Sequence, residues 1–340
     1  MVYGNRCGNE IIRSNNEAAN RYIIWELNGM DRNRESIETM LFFLVAYGIC
    51  WGIGILNYYD EFMSGYTMAL FMMTLPATGV SVAKLYRNVR NDENRRIHLI
   101  YVGCFVGFVF LMFLRIGGII SEAFLEMVTN YILLPIVSVL LFIFALLDGG
   151  ALSVGRNWKE VRRVLLIFMI SLIVGGIISG IGTSNIDFLF IATLPVSYVF
   201  FFLQGAAFFG EEYGWRGFLQ EKMQRRFGKR AGVVLLGVIW EIWHMPIWFS
   251  VYRVDGLGLV LRLFSTVSFA IIIGYAYMKS NNVWVCAFMH YSINLFATVF
   301  PGNANSYDLN AGHITWARIA EVLLLFIVFS SFLCTKPYRK

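Results

Sequence analysis

The chain has 340 residues, of which 58% are hydrophobic, 16% aromatic and only 15% charged. Soluble globular domains carry about 25% charged residues, so this composition excludes a soluble enzyme and is typical of a polytopic membrane protein. The net charge is +6, but no basic groove with interleaved aromatic residues accompanies it, and no nucleic-acid partner is predicted. The five cysteines are scattered without paired spacing, so no disulfide framework is predicted.

The predicted elements begin with a polar N-terminal tail, residues 1–38, in which residues 22–27 are compatible with either an interfacial amphipathic helix or disorder. Uncharged stretches then recur at the length of about 20 residues that a helix needs to cross a bilayer. We count ten of them, at residues 39–57, 63–83, 97–118, 127–147, 164–182, 188–210, 231–250, 258–278, 282–300 and 314–334. Residues 39–335 therefore predict one all-α integral membrane bundle, followed by a short tail, 336–340.

Positively charged residues alternate between the predicted loops. Lys and Arg collect in the N-terminal tail, in the even-numbered loops and in the C-terminal tail, and they are nearly absent from the odd-numbered loops. Because cytoplasmic loops near membrane spans are rich in Lys and Arg, both termini are predicted to be cytoplasmic. The same residues are expected to contact anionic membrane lipids.

The first polar motif follows the sixth span. Glu211 and Glu212 are adjacent, and Arg216 comes four residues after Glu212. No proline intervenes, so the helix is predicted to continue toward Arg226, and Glu212 and Arg216 are then i,i+4 neighbours in the favourable order. Glu211 points about 100° away from Glu212 and is free for another role. Ionisable groups at membrane depth are costly and usually functional, although a solvated headgroup position for both acids is the alternative.

The second motif lies deep in the seventh span. Trp240 precedes His244 by one helical turn, Glu241 precedes it by three residues, and Pro246 is expected to kink the helix beside it. A single buried histidine is more often a packing residue than a base. Here Glu241 accompanies it, and the sequence leaves open whether Glu241 orients His244 or competes for its proton.

The third motif places His290 and Asn294 on one face of the ninth span, at i,i+4 spacing. Such polar side chains also join membrane helices by hydrogen bonds, which is the structural alternative. Taken together, a pair of carboxylates, two histidines and an asparagine on three separate helices suit water activation and oxyanion stabilisation.

These three motifs resemble those of the CPBP intramembrane protease family, which is related to the CAAX prenyl endopeptidases and the bacterial Abi proteins. Two glutamates, three residues and an arginine correspond to Glu211, Glu212 and Arg216. An aromatic residue, three residues and a histidine correspond to Trp240 and His244, and the last motif corresponds to His290 and Asn294. The resemblance covers a catalytic core of about residues 188–300. Trp240 stands where phenylalanine is usual, and Glu241 is an additional acid.

The resemblance implies an intramembrane endopeptidase with a cavity open to the cytoplasm. Glu211 is then the general base on water with His244 assisting, His290 and Asn294 stabilise the oxyanion, and Glu212 holds Arg216. The implied substrate is a peptide or protein, and the sequence leaves open whether it is anchored in the membrane or prenylated. The expected location is the plasma membrane of a bacterium.

Two alternatives stay open. Glu211, His244 and His290 are also a ligand set for catalytic zinc. We favour a mechanism without a metal cofactor, because no HExxH motif occurs and no acid is evident beside His290. A non-catalytic binding or immunity protein, or a proton-coupled transporter, would use the same polar cavity without cleaving a peptide.

Overall fold

A computed structural model of the protein describes residues 33–87, 94–147, 152–181, 188–299 and 314–339. Every regular element within those ranges is helical. The proposed interfacial helix at residues 22–27 lies outside the described residues. The long helices are α1 Asn33–Asp60, α2 Gly65–Tyr86, α3 Arg95–Ile116, α4 Glu122–Leu147, α5 Trp158–Ile181, α6 Phe188–Gly214 with its continuation, α7 Lys229–Tyr252, α8 Gly256–Ser280, α9 Val283–Val299 and α10 Trp316–Cys334.

These helices coincide with the ten predicted spans. In the described part of the chain nine are long and apolar enough to cross a membrane, and α9, with 17 residues, is slightly shorter. Large apolar side chains are exposed on the outer helices α3, α4 and α5, for example Phe110, Phe113, Ile136 and Leu166. An apolar exterior of this kind is expected of a surface that faces lipid. The protein is therefore an all-α, multi-pass membrane protein.

Two helices are longer than the predicted spans. Helix α1 begins at Asn33 rather than at residue 39, because its first turns are tied to other helices by ion pairs. Glu38 is buried and accepts a hydrogen bond from Arg87 at 3.1 Å, and Glu35 lies 2.5 Å from Arg225. Helix α6 continues past Gly214 through the π-helical segment Trp215–Gln220 to Glu221–Phe227, as the absence of proline predicted.

Helix α6 lies at the centre of the bundle, where it packs against α2, α4 and α9, while α8 packs against α7, α9 and α10. The motif-bearing helices α6 and α9 thus pack against each other and α7 packs against α8, while side chains on the other faces of α6 and α7, such as Val199 and Ile242, are exposed. The C-terminal residues also join the bundle, since Lys336–Arg339 form a short helix, α11, and the buried Tyr338 hydroxyl donates to the Ile271 carbonyl of α8 at 2.7 Å.

Candidate active site

Close contact between α6 and α2 sets the position of the two adjacent glutamates. Gly210 and Gly214 flank them, and a Cβ at Gly214 would lie 2.3 Å from the Cβ of Pro76 on α2. Small residues at such a spacing let membrane helices approach closely. Glu211 and Glu212 are consequently buried, with exposures of 1% and 0%, and the solvated headgroup alternative does not hold for either.

Glu212 joins two of the three motifs. Its Oε1 accepts a hydrogen bond from Arg216 at 3.0 Å, which confirms the predicted i,i+4 pair, and it also accepts one from His290 Nδ1 at 2.9 Å. We predicted no acid beside His290, and this was wrong, because Glu212 and His290 are 78 positions apart in the chain and meet only where α6 packs against α9. One carboxylate therefore holds both a guanidinium and an imidazole.

Arg216 is held from the other side by Trp240. The guanidinium carbon lies 4.3 Å from the centre of the indole ring, a distance that suits a cation–π interaction. The same indole donates its N–H to Glu211 Oε1. The aromatic residue of the second motif thus contacts both charged residues of the first, and tryptophan supplies a hydrogen-bond donor that phenylalanine lacks.

Glu211 accepts hydrogen bonds from neutral indole groups, whereas Glu212 accepts them from Arg216 and His290. Its Oε1 accepts from Trp240 and also from Trp215 Nε1 at 3.3 Å, on the same helix. Its Oε2 is buried and has no hydrogen-bond partner in the part of the chain that the structure describes. One oxygen of this carboxylate is therefore oriented by two indoles, while the other is available to accept a further hydrogen bond.

His244 faces Glu211 across a short gap. Its Nδ1 lies 2.9 Å from the backbone carbonyl of Trp240, so Nδ1 is the protonated nitrogen of the ring. Its Nε2 lies 3.9 Å from Glu211 Oε1. The Trp248 ring stacks on the imidazole with a centroid separation of 5.8 Å and an interplanar angle of 23°. Backbone and aromatic contacts thus set which nitrogen of His244 faces the carboxylate.

Glu241 is fully buried and belongs to a separate cluster on the same side of α7 as Trp248. Its Oε1 accepts from Trp248 Nε1 at 3.0 Å, and its Oε2 accepts from Thr266 at 2.5 Å and lies 3.6 Å from Arg262. The Arg262 guanidinium lies 4.4 Å from the centre of the Trp248 ring. Glu241 therefore reaches His244 through Trp248 and not by a direct hydrogen bond among the described residues.

Three residues of this cluster were not predicted from the sequence: Arg262, Thr266 and Trp248. A signal for Arg262 was present, since an arginine seven positions into the span that begins at Gly256 is an ionisable residue in an apolar segment. Nothing in the local sequence of α8 links that arginine to Glu241 on α7. The additional acid therefore has a partner that only the packing of α7 against α8 provides.

A cavity of about 110 Å³ lies where α6, α7 and α9 meet. Glu211, Trp240, His244, His290 and Asn294 all line it, and the half-buried Asn294 lies one turn beyond His290. Glu212, Arg216 and Glu241 are buried behind this wall and do not line it. The structure thus brings the four predicted catalytic side chains to one cavity and places the supporting residues Glu212, Arg216, Trp240 and Glu241 around them, while the roles themselves stay predictions.

The predicted alternative zinc ligands share this cavity, but one of them is engaged elsewhere. His290 directs Nδ1 to Glu212, so only its Nε2 would remain for a metal. In the described ranges no group of three or more His, Cys, Asp or Glu side chains is arranged so that it could hold a metal ion. A mechanism without a metal cofactor stays a prediction, and a chelator tests it.

Comparison with known proteins gives this cavity a context. The family model described as type II CAAX prenyl endopeptidase Rce1-like matches residues 191–296, which contain all three motifs. This part of the chain is therefore similar to CAAX prenyl endopeptidases. CAAX prenyl protease 2 of Methanococcus maripaludis is 32% identical over 143 residues, which cover 39% of this chain and 50% of that relative. No solved structure matches the chain significantly.

The similarity to CAAX prenyl endopeptidases is confined to the core of the bundle. The chain spans about half the length of the curated relative that it matches. Helices α1–α5 and α10 lie outside the region that the family model matches.

Proposed function

We propose that this protein is a member of the CAAX protease family and an intramembrane endopeptidase, which hydrolyses a peptide bond in the cavity between α6, α7 and α9. The observation that carries this proposal is the 3.9 Å separation of Glu211 Oε1 and His244 Nε2. Both atoms are hydrogen-bond acceptors when the carboxyl is ionised and the imidazole is neutral with its proton on Nδ1. Two acceptors at this separation match one bridging water, since hydrogen bonds of about 2.8 Å to each would subtend roughly a right angle at its oxygen.

The bridging water is the proposed nucleophile. Glu211 takes one proton from it, and the oxygen attacks the carbonyl carbon of the scissile peptide bond, so that the carbonyl electrons move onto the carbonyl oxygen. His244 accepts the second hydrogen of the water in a hydrogen bond and orients its lone pair. The carboxyl group of Glu211 then returns its proton to the nitrogen of the leaving amine when the carbon–nitrogen bond breaks. Trp215 and Trp240 hold the carboxylate through both steps.

The opposite wall is proposed to stabilise the oxyanion. His290 donates from Nδ1 to Glu212, so a second donor from this ring must be Nε2–H. An imidazole that donates from both nitrogens carries a positive charge, and Glu212 supplies the opposite charge beside it. The Asn294 amide adds a neutral donor one turn away. Donors that are placed before the reaction are worth more in a dry cavity than in water.

The proposed substrate is a peptide or protein segment that reaches the membrane. The relative is named as a prenyl protease, but the cavity of about 110 Å³ is smaller than the 150 Å³ or so that holds a benzene molecule. A prenyl chain would therefore have to lie outside this cavity. The proposed location is the plasma membrane of a bacterium.

Comparative peptidomics of membranes tests this function. Membranes that contain the native protein are compared with membranes that contain Glu211→Gln or a matched control, Glu61→Gln. Glu61 also pairs with an arginine, at 3.2 Å from Arg253, but this pair is exposed. We expect a defined set of cleavage products with the native and Glu61→Gln proteins and none with Glu211→Gln at equal protein level.

The same variants separate the alternatives. A proton-coupled transporter would show flux in proteoliposomes that Glu211→Gln abolishes, without any peptide product. An immunity protein would still protect cells when Glu211 is replaced. Identical products from the native and Glu211→Gln proteins would overturn the proposed mechanism.

A further inference from the structure

The two ends of the helical bundle differ in charge. At one end lie Lys84 in the last turn of α2, Arg87 directly after it, Arg225 at the end of α6 and Lys279 at the end of α8, and the acids at the start of α1 pair with several of them. We name this the basic end. At the opposite end, where α1 meets α2, α3 meets α4 and α7 meets α8, the described charged residues are of both signs: Asp60, Glu61, Glu122, Glu126 and Asp255 are accompanied by Arg115 and Arg253, without an excess of Lys and Arg. Because loops rich in Lys and Arg stay in the cytoplasm, the basic end is the cytoplasmic one.

The catalytic cavity lies toward the opposite end. On α2 it is lined by Ala69, near the start of the helix at Gly65 and far from Lys84. On α8 it is lined by Arg262, Thr266 and Phe269, in the half near Gly256, and on α10 by Arg318, two residues after the start. On α9 the lining residues run from His290, near the middle of the helix, to Ala297, near its end. The lining residues of α2, α8, α9 and α10 thus all place the cavity toward the end opposite the basic end.

Helix α7 gives the depth of the cavity. His244 lies 15 residues after Lys229 at the basic end and 8 residues before Tyr252 at the other. At 1.5 Å per residue these intervals are about 22 Å and about 12 Å along the helix. The lining continues through Trp248 to Tyr252, the last residue of the helix, but begins only at Trp240 on the basic side. The short route from the site to water therefore leads away from the basic end.

We propose that the cavity is entered from the extracytoplasmic side, so that the substrate is a polypeptide segment exposed at the outer face of the membrane. This inference rests on the proposed function, because a substrate is expected only if the protein is an endopeptidase. The resemblance implied a cavity open to the cytoplasm, and the charge distribution implied a cytoplasmic basic end. The structure shows that these two expectations are incompatible, because the cavity and the basic end are at opposite ends of the bundle. A protein prenylated in the cytoplasm would not reach this site from the proposed side.

Thiol labelling in intact cells tests the side of entry without any need for catalysis. The background is a Cys7→Ser, Cys334→Ser protein, since the remaining cysteines Cys50, Cys104 and Cys286 are buried. Single cysteines are introduced at Ala297 and Ala69, which line the cavity from two different helices, and at Ala231 as the matched control. Ala231 is exposed and lies in the first turn of α7, beside Arg230 at the basic end. The probe is a small, charged, membrane-impermeant methanethiosulfonate.

We expect Ala297→Cys and Ala69→Cys to react in intact cells, with at least a tenfold faster rate than Ala231→Cys, which should react only after the cells are permeabilised. Faster reaction of Ala231→Cys in intact cells, or failure of both cavity positions to react from outside, would overturn the proposal. Either cavity variant suffices if the other does not accumulate. The cavity cysteines could react from outside although the protein yields no cleavage products. That result would support the extracytoplasmic entrance and refute the proposed function.

Discussion

Two buried glutamates beside the same cavity, Glu211 and Glu241, have opposite surroundings. Each accepts a hydrogen bond from an indole, of Trp240 and Trp248 respectively. Glu241 has in addition a hydroxyl and a guanidinium on its second oxygen, whereas Glu211 Oε2 is unpartnered among the described residues and Glu211 lines the cavity. A carboxylate whose oxygens are all engaged and that does not line the cavity is a structural element, whereas a carboxylate that lines the cavity can act on a ligand. Burial alone therefore does not mark the reactive acid.

The largest effect is expected from Glu211→Gln. The amide cannot take a proton from water, and general-base catalysis contributes about 10²–10⁴-fold, so the cleavage rate should fall by about 10³-fold or more. The shape of the side chain is kept and Glu211 has no close ion pair, so the unfolding temperature in detergent should change little. The measurement is the rate of cleavage of a product identified by peptidomics. A residual rate within tenfold of the native protein would contradict the assignment.

The next effect is expected from Glu212→Gln, and it should appear in stability as well as in rate. This change removes the negative charge that faces both Arg216 and His290 in a fully buried site. Leaving a buried cation without its partner costs about 3–5 kcal/mol. We expect a clear drop in the unfolding temperature, measured by size-exclusion chromatography of heated protein. The exposed Glu61→Gln variant is the control, because exposed ion pairs contribute only about 0–1 kcal/mol.

Asn294→Ala should slow cleavage without a comparable loss of stability. Asn294 lines the cavity and is only half-buried, and removal of one oxyanion donor costs about 10²–10³-fold in the catalytic rate constant. The fall should appear in kcat with little change in KM, because the donor acts on charge that develops in the transition state. An effect confined to KM would instead mean that Asn294 binds the substrate.

Glu241→Gln should have a smaller effect on cleavage than any of these changes. The amide can keep its contacts to Trp248 and Thr266, but Arg262 loses its negative partner, and because Arg262 is partly exposed we expect a loss of about 1–2 kcal/mol of stability. The cleavage rate should fall less than about tenfold. The double variant Glu241→Gln/Arg262→Gln should regain part of the stability, since the two residues are coupled. If cleavage were abolished while stability stayed unchanged, Glu241 would take part in the reaction, and the distinction between a structural Glu241 and a reactive Glu211 would be wrong.

Treatment with a metal chelator should leave the cleavage rate unchanged. The proposed mechanism assumes that Glu211 Oε1 binds the bridging water and that neither oxygen of Glu211 binds a metal ion. A loss of activity on chelation that zinc restores, together with one equivalent of metal in the purified protein, would show that Glu211 is a ligand.

Most of the fold followed from the sequence, because each span is a local property of about 20 consecutive apolar residues. The pairing of Glu212 with Arg216 was predicted for the same reason, since the two residues are one helical turn apart. The ends of helices were harder to place. The charged residues 33–38 were predicted to belong to the N-terminal tail. They are part of helix α1, whose first turns form ion pairs with Arg87 after α2 and Arg225 of α6.

The amino-acid sequence by itself determined the membrane-embedded helical class, the order of the helices and the three polar motifs, since composition and helical spacing involve only neighbours in the chain. Tertiary structure alone decided that His290 binds Glu212, that Trp240 donates to Glu211, that Glu241 is engaged by Arg262 and Thr266, and that the cavity lies away from the basic end. These contacts join different helices, and their geometry depends on how closely those helices pack and on which glycines allow that approach.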